Sequence, residues 1–390
     1  MNNYETFPES PFTPEKLTYL NAHKIAEKIY KKILTSHEAK NPKPLNNCLI
    51  FCLSHLSTTV NLSILNYWMS LFDGLYLIPK RNSLNANLLK HINDPTRIIT
   101  PRKRSEFGKT IQEIMDITSN TDLPIIILDI GGYFSPYIDS MSNTLNNRLV
   151  LVLEDTANGH KKYQNTNFFK SSTKFKSVAY DTYKMAENVM VANIILAHAP
   201  DYISNWSNCN AVLVIGYGRI GRSLCFALRE RGWKKITVVE TAKARLFMAK
   251  MEGFHTVSRL ELKQYNNHFE YCFSMSGHFG VTEDVFNSMR HNGYISVVTS
   301  YDDEFEEPLK KNFESGDGST LIIRDKKVNI VNSGRPVNLS SNAAFDPRNL
   351  SLHFIFGKLF STILISLGWT LSKNWEDEAY PTIISESQQR

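Results

Sequence analysis

The sequence predicts an α/β protein made of two doubly wound domains, each a mostly parallel sheet covered by helices. Short apolar runs rich in β-branched residues alternate with segments of helical length along the 390-residue chain. Strands that are apolar throughout are typical of parallel sheets buried on both faces. The length is that of two domains of ordinary size. The clearest of these runs are 49–53, 149–153, 211–215 and 236–239.

The other elements follow from local signals taken in chain order. Thr13 and Pro14 are typical of a helix start, and the pattern continues to about residue 40. A strand beginning near Leu123 runs into a glycine turn at Gly131 and Gly132. Residues 302–320 are acidic and then polar, and we expect a loop or an edge hairpin there. Further helices are predicted over 60–71, 106–117, 183–197, 243–251 and 282–291, and further strands over 74–78, 271–274, 294–298 and 328–331.

Composition excludes several classes of protein. Hydrophobic residues make up 42% of the chain and charged residues 21%, which is ordinary for a globular protein. The net charge of +6 is spread along the chain, and the basic run 101–104 is short, so we expect no nucleic-acid partner. No apolar run reaches the ~18 residues of a membrane span. Residues 354–367 come closest, but Lys358 interrupts them, and a buried helix is predicted.

The cysteines and the first residues indicate a compartment. The five cysteines have no C-x-x-C spacing, and no cluster with the spacing of metal ligands is evident, so we expect no metal. The first residues lack the basic and apolar regions of a signal peptide. We therefore expect a protein of the reducing cytoplasm.

One stretch has diagnostic spacing. After the strand 211–215, Gly216, Gly218 and Gly221 form G-x-G-x-x-G and lead into a helix. The first glycine permits a tight turn, the second lets a pyrophosphate approach the backbone, and the third lets the helix pack on its strand. We expect this loop, including Arg219 and Ile220, to bind a dinucleotide.

An acidic residue specifies which dinucleotide. Glu240 ends the next strand, nineteen residues after Gly221, where a carboxylate can accept hydrogen bonds from a ribose hydroxyl. A 2′-phosphate would face this negative charge. The sequence therefore favours NAD over NADP as the cofactor.

Several ordered stretches resemble the S-adenosylhomocysteine hydrolase family, over roughly residues 45–370. GYGRIGR is similar to that family's GYGxVGKG turn, and each of the other stretches has a counterpart in the same order. They are Leu128–Gly132 (LDIGG), Glu154–His160 (EDTANGH), Val239–Phe254, Gly334–Ala343 (GRPVNLSSNA) and Asp346–Arg348.

The resemblance implies functional residues. Members of the family hold NAD, oxidise the 3′-hydroxyl of a bound nucleoside, eliminate homocysteine, add water and reduce the ketone again. On the cofactor side, the resemblance adds Ser276 and Asn338 to the glycine loop and Glu240. On the substrate side, it implies acid–base roles for His55, Asp155 and Asp181 and substrate contacts from Asp129, Glu154 and Thr156.

The substrate side departs from the family pattern. The family's catalytic second aspartate falls on Ile130, the last aspartate of the same motif falls on Tyr133, and a lysine falls on Ser177. Three readings follow: an authentic S-adenosylhomocysteine hydrolase, a related NAD-dependent enzyme acting on a secondary alcohol of another nucleoside-like or sugar-like molecule, or a non-catalytic NAD-binding protein. The second is favoured. A 2-hydroxyacid dehydrogenase ranks lower, because its arginine and histidine–carboxylate set is not evident.

The order of elements also predicts the domains. We expect a substrate domain over 1–190, completed by 347–390, and a Rossmann domain over 191–346. We expect a small-molecule substrate, with a nucleoside as one candidate, and no membrane partner. The resemblance alone implies a homo-oligomer.

Overall fold

The computed structural model describes residues 14–38, 45–339 and 350–388. The chain forms two compact units, residues 1–184 with 344–390, and residues 185–343. The domain boundaries expected from the sequence, near residues 190 and 346, stay a prediction. Both units contain a largely parallel sheet with helices, so the predicted α/β class of two doubly wound domains is confirmed.

The strands and helices alternate along most of the chain. The strands are β1 (His37–Glu38), β2 (Leu49–Leu56), β3 (Leu75–Leu84), β4 (Ile125–Asp129), β5 (Leu149–Glu154), β6 (Phe175–Ser177), β7 (Val212–Ile215), β8 (Ile236–Val239), β9 (His255–Val257), β10 (Phe269–Ser274), β11 (Met289–Val297), β12 (Thr320–Ile323), β13 (Lys326–Ile330) and β14 (Thr370–Leu371). The α-helices are α1 (Pro14–Thr35), α2 (Thr59–Leu71), α3 (Ala86–Leu89), α4 (Phe107–Ser119), α5 (Ile138–Leu145), α6 (Ala157–Tyr163), α7 (Asn167–Ser171), α8 (Thr182–Tyr202), α9 (Arg219–Glu230), α10 (Lys243–Met251), α11 (Arg259–Leu262), α12 (Glu283–Ser288), α13 (Tyr301–Glu304), α14 (Glu307–Ser315), α15 (Leu350–Ser366) and α16 (Trp375–Gln388).

The first unit contains a five-stranded parallel sheet in the order β3-β2-β4-β5-β6. Alternate residues of β2 enter two different cores, Ile50 and Cys52 on one face and Phe51 and Leu53 on the other. The strand order reverses between β2 and β4. In open α/β sheets, ligands bind outside the carboxyl ends of the strands at such a reversal.

The second unit contains a seven-stranded sheet in the order β12-β13-β11-β10-β7-β8-β9, parallel except for the β12–β13 pair. Its six parallel strands have the doubly wound order 3-2-1-4-5-6, with the reversal between β7 and β10. The glycine loop follows β7 directly, so it lies at this reversal.

Most predicted elements are present, and two predictions are wrong. Residues 302–320 are largely helical, because Pro308 stands in the first turn of α14 and Leu309 and Phe313 turn one face of that helix inward. The helix predicted over 282–291 ends at Ser288, and β11 begins at the next residue. The buried helix predicted near 354–367 is confirmed as α15. No helix in the described ranges is both long and apolar enough to cross a membrane.

Candidate dinucleotide site and candidate substrate site

The three glycines of the loop have three different environments. Gly216 has φ +94°, and a Cβ there would lie 3.2 Å from the backbone of Ser276. A Cβ on Gly221 would lie 2.0 Å from the carbonyl oxygen of Gly216, so the helix–strand contact requires glycine. A Cβ on Gly218 would meet nothing within 4 Å. The loop is therefore tight where it turns and open where a pyrophosphate has to approach the backbone.

Helix α9 begins immediately after this open position. Gly218 is the N-cap residue and has no side chain to accept from the first turn, which contains Arg219 and Ile220. The first N–H groups of a helix have no intrahelical partner and carry partial positive charge. The start of α9 is therefore suited to a phosphate group.

Glu240 is held firmly at the end of β8. Its carboxylate accepts from the amides of Tyr217 (2.8 Å) and Ala242 (2.8 Å) and from two nitrogens of Arg245 (2.9 and 3.0 Å). Burial alone would raise its pKa, but these hydrogen bonds outweigh burial and hold the pKa of Glu240 at about 2. These four bonds, with a longer one from the hydroxyl of Thr241 at 3.5 Å, occupy the acceptor positions of the carboxylate. A ribose hydroxyl would therefore replace an N–H of Arg245, whose side chain is 42% exposed.

Ser276 belongs to a loop organised by a buried carboxylate that sequence reasoning missed. Glu304 is fully buried and accepts from the hydroxyls of Ser274 (2.5 Å), Ser276 (2.9 Å) and Thr299 (2.8 Å) and from the amide of Gly277 (2.7 Å). It thereby joins the loops that follow β10 and β11. Its location in an acidic run gave no sign of this role, because Ser274, Ser276 and Gly277 lie 27 to 30 residues away in sequence.

Two buried oxygens lie at residues that follow β11 and β13. Ser300 Oγ and Asn338 Oδ1 have no hydrogen-bond partner within the described ranges. Buried polar atoms are normally satisfied, so such atoms require an explanation. Together with the open space over Gly218, they fit a cofactor that brings its own donors and acceptors.

In the first unit, the carboxyls of Asp129 and Glu154 accept hydrogen bonds from backbone amides. Asp129 accepts from the amides of Tyr133 (3.1 Å) and Phe134 (3.0 Å) and from the hydroxyl of Tyr163 (2.8 Å). Both carboxyls are fully buried. Burial raises the pKa of Asp129.

The second carboxyl clamps the glycine turn after β4. Glu154 accepts from the amides of Gly131 (2.9 Å) and Gly132 (3.1 Å) and from the amide and hydroxyl of Thr156 (2.6 and 2.7 Å). Burial and then the charge of Asp129 raise its pKa to about 8. Thr156 also caps α6 by accepting from Gly159. This geometry supports a role in shaping the loops, and the substrate contacts expected from Asp129, Glu154 and Thr156 stay a prediction.

His55 lies near the carboxyl end of β2, beside the strand reversal. Its Nδ1 is 2.5 Å from the hydroxyl oxygen of Ser83. Burial lowers the pKa of His55 well below its usual value, and the charges of Lys80 and Lys184 lower it further. The imidazole is therefore neutral at neutral pH, with Nε2 as its second nitrogen.

The other two residues expected to act with His55 have different surroundings. Asp155 is buried, and its carboxylate lies 3.0 Å from the ammonium of Lys184. Asp181 accepts from the amide of Tyr183 at the start of α8 and lies 3.9 Å from Lys358. No hydrogen bond described for this unit joins Asp181 to His55, so their joint catalytic role stays a prediction.

Comparison with known proteins agrees with the geometry of the second unit. The TrkA-N domain family model matches residues 212–259, which cover the glycine loop, α9, β8 and Glu240. This unit is a Rossmann-type NAD-binding domain. The matched segment of the NAD-binding domain is a small part of the chain, so it does not assign the whole chain to a family. No curated protein is significantly similar in sequence.

The solved structures that are similar to this chain share little sequence identity with it. One of the dipicolinate synthase subunits from Bacillus halodurans is 13% identical, with 82% of this chain and 100% of that chain covered and a TM-score of 0.47. The corresponding dipicolinate synthase polypeptide from Bacillus subtilis is 12% identical, with 82% and 97% covered and a TM-score of 0.43. A short chain alcohol dehydrogenase from E. coli CFT073 in complex with NADH is 16% identical, with 47% and 52% covered and a TM-score of 0.30. Values this low do not establish a shared function.

Proposed function

We propose that the chain is an NAD-dependent oxidoreductase that oxidises a secondary alcohol of a small molecule or reduces the corresponding ketone. The observation that carries the proposal is the open position over Gly218 at the start of α9, between two glycines that the fold requires. Bound NAD would supply the hydride acceptor, or NADH the donor. The substrate would be bound by residues 1–184 with 344–390.

His55 is the side chain best suited to the substrate hydroxyl. It lies at the ligand-binding edge of the first sheet, and Ser83 fixes the orientation of its ring. Because the imidazole is neutral at neutral pH, Nε2 can accept the hydrogen bond of a hydroxyl group. Proton transfer by a positioned side chain contributes typically 10²–10⁴-fold to a rate.

The sequence resemblance supports a nucleoside-like or sugar-like substrate. Elimination after oxidation is a weaker part of the proposal. The family's aspartate position holds Ile130, which is buried in an apolar core, and its lysine position holds Ser177, whose hydroxyl accepts from Ala179.

A spectroscopic experiment tests the proposal. The protein with NAD is mixed with nucleosides, sugars and hydroxy acids, and the absorbance band of NADH is followed. We expect NADH to form with one class of alcohol, and His55→Gln to slow it at least a hundredfold with unchanged NAD affinity. His291→Gln, at an exposed position, is the control. Equal rates in the His55→Gln and control variants would refute the role of His55.

A non-catalytic NAD-binding protein is the second candidate. Ile130 and Tyr133 are buried where the resembled family has aspartates, which favours this reading. Under it, NAD binds and no alcohol in the panel ever yields NADH.

A further inference from the structure

The carboxyl edge of the first sheet contains an irregularity beside His55. In the β2–β3 pair, Ser54 is opposite Pro79 but Leu56 is opposite Leu84. Residues 80–83 therefore bulge opposite a single residue of β2. Bulges commonly redirect side chains next to functional sites. This one contains Ser83, which contacts His55, and Lys80, which is only 7% exposed.

Three cations converge on the glycine turn after β4. Arg104 and Lys162 both donate to the carbonyl oxygen of Gly131, at 3.0 and 3.1 Å. The guanidinium of Arg104 lies 3.8 Å and the ammonium of Lys80 5.3 Å from the centre of the Tyr133 ring. A Cβ on Gly131 would be 3.5 Å from Lys80 Nζ. The turn is thus bordered by positive charge.

A fourth cation, Lys184, acts electrostatically on His55. Lys184 is buried and pairs with Asp155 at 3.0 Å. After burial, its charge and that of Lys80 both depress the pKa of His55.

The carboxyls of this edge do not neutralise its cations. The donors that satisfy Asp129 are amides and a tyrosine hydroxyl, and those that satisfy Glu154 are amides and a threonine hydroxyl. Even with Asp129, Glu154 and Asp155 all ionised, these three carboxylates are outnumbered by the four cations Lys80, Arg104, Lys162 and Lys184.

We propose that this edge binds an oxyanion, a carboxylate or a phosphate, carried by the small-molecule ligand. Lys80 and Lys184 contact the oxyanion, and Asp155 is a positioning residue for Lys184. Ionised donors make stronger hydrogen bonds to an oxyanion than neutral donors do. The inference rests on the proposed function only in taking residues 1–184 with 344–390 as the substrate unit.

Calorimetric titration of the full-length protein tests the proposal, with inorganic phosphate and malonate as probes at constant ionic strength. We expect saturable binding of at least one probe and at least tenfold weaker binding in Lys80→Met. Lys109→Met is the matched control, because Lys109 is 72% exposed on α4. Lys184→Met alone would leave Asp155 buried without its cation, so the double variant Lys184→Met/Asp155→Asn is used as well.

The outcomes separate the alternatives. Binding of phosphate alone indicates a phosphate ester as ligand, and binding of malonate alone indicates a carboxylate. Absence of binding of both probes, or equal affinities in Lys80→Met and Lys109→Met, overturns the proposal. NAD is titrated into the same preparations. Absence of anion binding in the wild-type protein with NAD binding intact refutes only this inference, whereas failure of the wild-type protein to bind NAD refutes the proposed function.

Discussion

Replacing Gly218 by alanine should abolish cofactor binding without harming the fold. The backbone at Gly218 has φ −72° and ψ −168°, which alanine adopts without strain, and the added methyl group would meet no protein atom within 4 Å. The same methyl group would occupy the space through which the pyrophosphate reaches the loop. A single added methyl group should therefore block NAD binding and leave the fold intact.

The expected change in stability is small because two contributions oppose each other. Alanine in place of glycine at a compatible conformation stabilises by about 0.4–1 kcal/mol through the unfolded chain. Alanine is a poorer N-cap than glycine, at a cost of about 0.5 kcal/mol. The melting temperature should thus stay within about 3 °C of wild type. Affinity for NAD should fall at least a hundredfold, about 2.7 kcal/mol.

Calorimetry with NAD and thermal unfolding together form the assay. Gly108→Ala in α4 is the matched control, because its methyl group would be in ordinary contact with Tyr137 at 3.6 Å. Gly221→Ala should instead lower the melting temperature strongly, because its methyl group would collide with a backbone oxygen at 2.0 Å. Unchanged NAD affinity in Gly218→Ala would refute the assignment of this loop as the cofactor cradle.

Three further predictions concern His353, Glu304 and the cysteines. Burial lowers the pKa of His353 to about 4, so the folded state resists its protonation, and the free energy of unfolding falls by about 3 kcal/mol as pH falls from about 6.5 to 4. Urea denaturation at both pH values should show a smaller fall in His353→Leu than in the wild-type protein, and an identical fall would contradict this. Glu304→Ala leaves the donors of two loops unpaired and should lower the free energy of unfolding by about 2–4 kcal/mol in the same assay, whereas Glu230→Ala, at an exposed position, should change it little. Equal stability of these two variants would argue against the role of Glu304 in joining the two loops. Cys209 is exposed and the other four cysteines are buried and reduced, so one thiol should react quickly with a thiol reagent in the native protein and five after denaturation, whereas a second fast thiol would be inconsistent with the fold.

The cofactor unit could be predicted from sequence because its signals are local. The spacing of Gly216, Gly218 and Gly221 reports one turn and one helix start, and each glycine has the environment that this spacing implies. Glu240 follows from the length of one helix and one strand. The same reasoning failed for α14, because an acidic stretch containing Pro308 resembles a loop until the spacing of Leu309 and Phe313 is noticed.

The groups around His55 could not be predicted because tertiary contacts create them. Lys184 and Asp155 are 29 residues apart in sequence. Lys80 lies in the bulge of β3 that is opposite His55, and this register shift cannot be read from the sequence. The resemblance pointed to His55 and to the loss of a lysine at Ser177, but not to the two lysines that the fold brings to the same edge.

The central claim, that residues 185–343 bind NAD, is tested most directly by denaturing the purified protein and identifying any released nucleotide. The stripped protein is then titrated with NAD and with NADP. We predict released NAD or, in its absence, saturable binding of NAD that is tighter than that of NADP. Absence of any released nucleotide together with absence of affinity for either cofactor would contradict the account, including the role of the glycine loop.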